Sequence, residues 1–115
     1  MAREKKNYLS ITRTVKAEIL TYNNTNYVRT REIADILGVK QPFEFTHHIE
    51  EELGPVTVRK APFASKTDSS RTVFVSVNNM LAYMERKTAR EHKVSDDRWY
   101  KMMNSLEKYT NKEDL

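Results

Sequence analysis

The 115-residue sequence contains no cysteine, which excludes disulfide bonds and zinc sites built on thiolates. It has only two glycines and three prolines, too few turn residues for a β-sandwich. No apolar run approaches the roughly 18 residues that span a bilayer, and the charged N-terminus lacks the apolar segment of a secretory signal. These absences predict a cytoplasmic protein of one domain that does not bind membranes.

Residues that usually carry catalysis are also scarce. The histidines are His47, His48 and His92. Neighbours on a helix point about 100° apart, so the adjacent pair does not have the spacing of metal ligands. No nucleophile elbow, phosphate loop or carboxylate pair is recognisable. The sequence therefore predicts a protein that is not an enzyme and has no catalytic residue, metal or cofactor.

The chain is basic, and its apolar residues recur at regular spacing. The net charge is +4 and the pI about 9.3. This charge suits a partner that is a polyanion, although many domains without such a partner are mildly basic. Charged residues make up 31% of the chain and hydrophobic residues 38%. Because the apolar residues recur regularly, a folded domain is predicted rather than a disordered chain.

Two short helices joined by a tight turn are predicted within residues 28–53. Thr30 is predicted as the N-cap of the first helix, and Gly38 as the left-handed residue that ends it. Pro42 suits the first turn of the second helix, where its missing N–H is harmless. The second helix has an apolar residue at every fourth position, which predicts its buried face. These residues are Phe45, Ile49 and Leu53.

The N-terminal part of the chain leaves two interpretations open. Residues 1–9 are predicted to be a charged, loosely ordered lead. Residues 10–22 are predicted to be a helix, because they include several strong helix formers. The competing interpretation is a strand in which Val15, Ala17 and Ile19 alternate with other residues, followed by a hairpin turn at residues 23–26.

A basic hairpin is predicted after the second helix. Val56 and Val58, and later Val73 and Val75, alternate with other residues as in two paired strands. The long segment between them, residues 59–71, is here called the basic loop. Small hydroxyl side chains and four cations in this loop suit contact with phosphates. The cations are Arg59, Lys60, Lys66 and Arg71.

Two further helices are predicted towards the C-terminus. Ser76 would cap the first, whose inner face consists of Val77, Met80, Leu81 and Met84. The second is an amphipathic helix within residues 95–115. Its apolar stripe consists of Trp99, Met102, Met103, Leu106 and Tyr109. This stripe either packs within the chain, pairs with its copy in a homodimer, or binds a host protein.

The order helix, turn, helix and basic hairpin predicts an α+β winged helix-turn-helix over residues 10–94, with a small β-hairpin wing and an additional C-terminal helix. Three segments resemble the DNA-binding domain of phage antirepressors and regulators of the Bro-N type: REIADILGVKQP, FVSVNNMLAYM and RWYKMM. The chain departs from that pattern by one extra residue in the turn before the second helix, and by the place of His48. The resemblance implies a small transcriptional regulator from a phage or mobile element.

In such a fold the second helix contacts base edges in the major groove of double-stranded DNA. The residues predicted to do so are Lys40, Gln41, Phe43, Glu44 and His47. Thr30 and Arg31 lie where a helix N-terminus binds phosphate, and join the four cations of the basic loop as predicted phosphate contacts. The acidic run at residues 50–52 opposes DNA at the far end of the helix. It supports a second hypothesis, a module that binds a basic host protein through this run and the C-terminal helix.

Overall fold

The computed structural model describes residues 7–11 and 15–111. Residues 1–6 of the predicted charged lead lie outside this range, whereas residues 7–9 form the first strand of the sheet. The fold is α+β, as predicted, with a four-stranded antiparallel sheet in the order β1-β2-β3-β4. The strands are β1 (Asn7–Leu9), β2 (Ala17–Tyr22), β3 (Thr25–Arg29) and β4 (Phe74–Ser76).

Four helices accompany this sheet: the first and third along the chain pack against its strands, and the second and fourth pack mainly on those two helices. The four helices are α1 (Thr30–Leu37), α2 (Pro42–Leu53), α3 (Val77–Arg86) and α4 (Asp96–Glu107), with 3-10 turns at Gly54–Val56 and Arg90–His92. Leu9, Ile19, Val28 and Val75 point from the sheet into the core that the helices share. No helix in the described part of the chain is long and apolar enough to cross a membrane.

The predicted helix over residues 10–22 is wrong. Ala17–Tyr22 is strand β2, in which Ala17 and Ile19 are buried and alternate with more exposed residues. Asn23 and Asn24 both adopt left-handed backbone angles, with φ of 50° and 63°. That conformation is typical of the tight turn of a two-residue hairpin. Pairing with β1 and β3 therefore outweighs the helix propensity of the individual residues.

The helix-turn-helix has the predicted boundaries at its turn. Gly38 is left-handed, with φ of 74°, and its N–H donates to the carbonyls of Ala34 and Asp35. Pro42 is the first residue of α2. Phe45 and Ile49 are buried, as predicted from their spacing. The start of α1 differs from the prediction, because Arg29 holds the N-cap position and makes no side-chain capping bond.

The predicted hairpin wing does not form in the described chain. Val56 lies in the 3-10 turn that follows α2, and Val58 makes only an isolated bridge with Phe74. Strand β4 pairs along its length with β3 instead. Gly54 and Pro55 end α2 as expected, but the 3-10 turn they form shortens the extended segment that would have been the first wing strand.

The C-terminal helix belongs to the core of the same domain. Ser76 caps α3, as predicted, by accepting a bond from Asn79 N–H, and Ser95 caps α4 by accepting one from Arg98 N–H. Trp99, Met102 and Leu106 are buried against the rest of the chain, which corrects their assignment to a dimer or partner interface. The two remaining residues of that stripe, Met103 and Tyr109, are partly buried against the same core.

Candidate nucleic-acid interface

The N-terminal end of α2 exposes every residue that was predicted to contact bases. Phe43 is 80% exposed, so its ring lies outside the core. Four polar side chains, all exposed, lie on the same short segment. They are Lys40, Gln41, Glu44 and His47. This end of α2 therefore combines one apolar ring with donors and acceptors of both charges, a set that suits contact with base edges.

Arg31 extends this surface onto α1. Its guanidinium lies over the ring of Phe43, with Cζ 5.0 Å from the ring centroid. Its Nε also donates to Oδ1 of Asp35, one turn along α1, at 3.3 Å. The Arg31 side chain remains 53% exposed. A single guanidinium therefore stacks on the exposed ring and stays accessible to a phosphate.

Thr30 is buried, so its prediction as a phosphate contact is wrong. It is 1% exposed, and its hydroxyl lies 3.0 Å from the hydroxyl of Thr46 on α2. Its backbone N–H donates to the carbonyl of Val73 at 3.0 Å. Because α1 begins at Thr30 rather than after it, the residue turns inward and joins α1 to α2.

The acidic run at residues 50–52 is bonded by side chains of the same chain. The three contacts are Glu50 with Arg59 at 2.8 Å, Glu51 with His47 at 2.8 Å and Glu52 with Lys87 at 2.6 Å. The Lys87 hydrogen bond, with a further bond from Arg86, holds the pKa of Glu52 below its usual value. Exposed pairs of this kind contribute little to stability. Arg59 and Lys87 do place a cation beside Glu50 and Glu52, which reduces repulsion of a polyanion.

The basic loop folds back onto the outer face of the sheet. The ring of Phe63 stacks on Tyr27, with centroids 4.6 Å apart and planes 24° from parallel. It also meets Phe74 edge-on at 5.0 Å and Tyr22 at 5.5 Å. The loop is thereby fixed by an aromatic anchor on strands β2, β3 and β4, rather than projecting from the body as a wing.

A second anchor joins the loop to Arg29. Nε and Nη2 of Arg29 donate to the two carboxylate oxygens of Asp68, at 2.7 and 2.8 Å. Nη1 donates to Glu18 on β2 at 2.9 Å and to Glu32 on α1 at 3.1 Å. Arg29 is 9% exposed. Its bidentate hydrogen bonding lowers the pKa of Asp68 to about 2.

Local sequence patterns do not predict this anchor. Arg29 lies at the end of a strand, and its three partners come from β2, α1 and the basic loop. The available signal was that Asp68 is the one acidic residue, and Phe63 the one aromatic residue, within residues 59–71. A single acidic residue and a single aromatic residue in an otherwise basic and polar loop are the ones expected to bind the loop to the rest of the fold.

Three of the four loop cations remain available. Arg59 pairs with Glu50 and so joins the start of the loop to α2. Lys60, Lys66 and Arg71 are exposed, and none has an ion-pair partner among residues 7–11 and 15–111. Arg31 contacts Phe43, one of the residues predicted to contact bases, whereas Lys66 lies with Glu18 and Glu32 around a cleft at the start of α1.

Beneath the N-terminal half of α2 lies a half-buried histidine. His92 stacks on Trp99, with centroids 5.5 Å apart, and meets Phe45 edge-on at 5.0 Å. Its Nε2 lies 2.9 Å from the hydroxyl of Tyr83. Burial, and then the neighbouring His48, lower the pKa of His92. Burial also raises the pKa of Tyr83 to about 12, so its hydroxyl stays protonated and can donate to neutral His92.

This histidine makes stability depend on pH. Because the folded-state pKa of His92 is below its unfolded value of about 6.5, the unfolded chain binds the proton first as the pH falls. We expect the free energy of unfolding to decline from about pH 7 to about pH 5, and to decline less in His92→Gln, which keeps a partner for Tyr83. Urea unfolding of the wild type and of His92→Gln across this pH range measures the two declines. Between about pH 8 and pH 7 the two proteins should change alike, and parallel curves throughout would contradict the prediction.

Comparison with models of known protein families, with curated proteins and with solved structures finds no match for the chain. Among the described residues, no group of three or more candidate ligands could hold a metal ion. The surface formed by α1, α2 and the basic loop carries the exposed charged and aromatic side chains from which a function can be inferred.

Proposed function

We propose that this protein binds double-stranded DNA and acts as a small transcriptional regulator, using a winged-helix-like arrangement in which the basic loop replaces the hairpin wing. The observation that carries the proposal is the exposed end of α2. Phe43 is 80% exposed there, with Arg31 stacked on its ring. The setting of a phage or mobile element in a bacterial cytoplasm is part of the proposal and rests on the sequence resemblance.

In this proposal the N-terminal half of α2 enters the major groove. Gln41 has the amide that pairs with N6 and N7 of adenine, and Glu44 accepts from N4 of cytosine. Lys40 donates to guanine or to a phosphate. Only the first turns of α2 approach the duplex, because the far end of the helix holds the ion-paired carboxylates of residues 50–52.

Phosphate contacts come from the flanks of α2. Arg31 lies at the start of α1, where side chains of helix-turn-helix proteins meet the backbone. Lys60, Lys66 and Arg71 add charge from the basic loop, which the Arg29–Asp68 ion pair holds in place. Such contacts position the protein without selecting a sequence, so selection falls to α2. Regulation would follow from occupancy of the bound site.

The alternative, a module that binds a host protein through the acidic run and the C-terminal helix, has less support. The carboxylates of residues 50–52 bond to side chains of the same chain. Trp99, Met102 and Leu106 are buried in the core. No other observation favours a protein partner over DNA.

Binding to a random duplex at increasing salt tests the proposal. With about four to six phosphate contacts, the association constant should fall about 10²–10³-fold between about 50 and about 200 mM salt, because each contact releases counterions. Replacing Lys66 and Arg71 together with alanine should weaken binding to all sequences alike and flatten the logarithmic salt slope by about 2 units.

The matched control replaces two exposed cations, Lys101 on α4 and Lys108 at its C-cap, with alanine. This control lowers the net charge by the same amount as the loop variant, and it should leave most of the logarithmic salt slope unchanged. Absence of binding at low salt would refute the DNA proposal. Unchanged binding by the loop variant, with wild-type protein active, would instead remove the basic loop from the interface.

A further inference from the structure

Among the described residues, Phe43 has the most exposed large apolar side chain. One exposed aromatic residue is ordinary on a protein surface. Here, however, the guanidinium of Arg31 lies 5.0 Å from the ring centroid, and Asp35 holds that guanidinium in turn. The ring is therefore positioned by a second side chain while most of its surface remains in solvent.

This position limits what Phe43 can contact in duplex DNA. Base faces are stacked on each other, and phosphates and sugars offer little to a phenyl ring. Along the edges of the major groove, the apolar group is the C5-methyl of thymine. Cytosine carries hydrogen at the equivalent carbon unless it is methylated, and 5-methylcytosine then presents the same methyl at the same place in the groove.

We propose that Phe43 recognises the C5-methyl group of a pyrimidine in the bound site, and so makes this protein specific for a 5-methylpyrimidine at one position. In unmodified DNA that base is thymine, and in methylated DNA it is thymine or 5-methylcytosine. The inference rests on the proposed DNA binding and deepens it, because it names the chemical group that α2 recognises. Gln41 and Glu44, exposed on the same segment, address polar edges of neighbouring base pairs.

Replacing thymine by uracil removes only this methyl group and leaves base pairing unchanged. The probe is a duplex obtained by selecting bound sequences from a random pool made with thymine. Each thymine of that duplex is then replaced singly by uracil, and binding is measured by fluorescence anisotropy. We expect one replacement to weaken binding about fourfold, the effect of removing one methyl from an apolar contact, and the others to have no effect.

A second set of duplexes separates the two sources of the methyl group. At the sensitive position, the thymine–adenine pair is replaced by cytosine–guanine, with or without a methyl on C5 of the cytosine. We expect the methylated duplex to bind more tightly than the unmethylated one by a similar factor of about four. Equal binding of these two duplexes would restrict Phe43 to thymine and overturn the broader claim.

Two protein variants assign the effect to Phe43. Phe43→Ala should bind the thymine and uracil duplexes equally, and it should fold normally because the side chain is exposed. Tyr100→Ala, which removes another exposed ring, on α4, should discriminate between them as the wild type does. If Phe43→Ala still discriminates, another residue contacts the methyl and the inference is wrong.

The inference and the proposed function fail in different ways. Sequence-selective binding that tolerates uracil at every position would overturn the role of Phe43 and leave DNA binding intact. Failure of wild-type protein to bind any duplex at low salt would refute the proposed function, and the inference with it.

Discussion

Replacing Arg29 with methionine is expected to lower the free energy of unfolding by about 3–5 kcal/mol. Arg29 is 9% exposed, and its guanidinium is the cation shared by the carboxylates of Glu18, Glu32 and Asp68. Methionine keeps most of the length of the side chain but none of its charge or donors. The three carboxylates would then lose the cation that they share, and those of Glu18 and Asp68 are mostly buried.

Urea unfolding at neutral pH measures this change, and Arg31→Met supplies the control. Arg31 neighbours Arg29 in sequence, but its side chain is 53% exposed, and it pairs with one exposed carboxylate, that of Asp35. Exposed pairs are worth about 0–1 kcal/mol, so this variant should lose little stability. Equal losses in the two variants would show that burial and the shared carboxylates do not distinguish Arg29.

The same anchor explains why the basic loop could not be placed from the sequence. Its apolar contact, Phe63 on Tyr27, and its ion pair, Arg29 with Asp68, join residues about 40 positions apart along the chain. The local alternation of valines with other residues instead predicted a β-hairpin wing. That hairpin would leave Phe63 without the aromatic neighbours it has on the sheet.

The predicted helix over residues 10–22 failed for a related reason, since part of it is strand β2. Its residues have helix propensity, but a difference of a few tenths of a kcal/mol per residue is small beside strand pairing on both sides and burial of Ala17 and Ile19. The left-handed Asn23 and Asn24 show that the turn chemistry was the better signal. Residues 12–14 of the predicted helix lie outside the described residues.

The helix-turn-helix and the outward face of α2 could be predicted because short-range rules decide both. Gly38 ends α1 in the left-handed conformation, which residues other than glycine rarely adopt, and Pro42 begins α2. Once Phe45 and Ile49 point inward, helical geometry places Phe43 and His47 outward. Thr30 could not be placed in this way, because a shift of one residue in the start of α1 turned it from the surface to the core.

The largest expected effect within α4 concerns its buried stripe. Leu106→Ala should lower the free energy of unfolding by about 2–5 kcal/mol, because Leu106 is fully buried and its truncation leaves a cavity. Tyr100, on the same helix, is 64% exposed, so Tyr100→Ala should change stability by no more than about 0.5 kcal/mol. Urea unfolding of the two variants and the wild type gives the comparison directly.

Concentration dependence distinguishes this packing from the dimer that the apolar stripe suggested. If Leu106 packs only against its own chain, unfolding midpoints of wild type and variant should not change with protein concentration. A helix that paired with its copy would give a midpoint that rises with concentration in the wild type, and Leu106→Ala would weaken that rise. Such a result would contradict the intramolecular core formed by Trp99, Met102 and Leu106, and would return α4 to the interface between two copies of the chain.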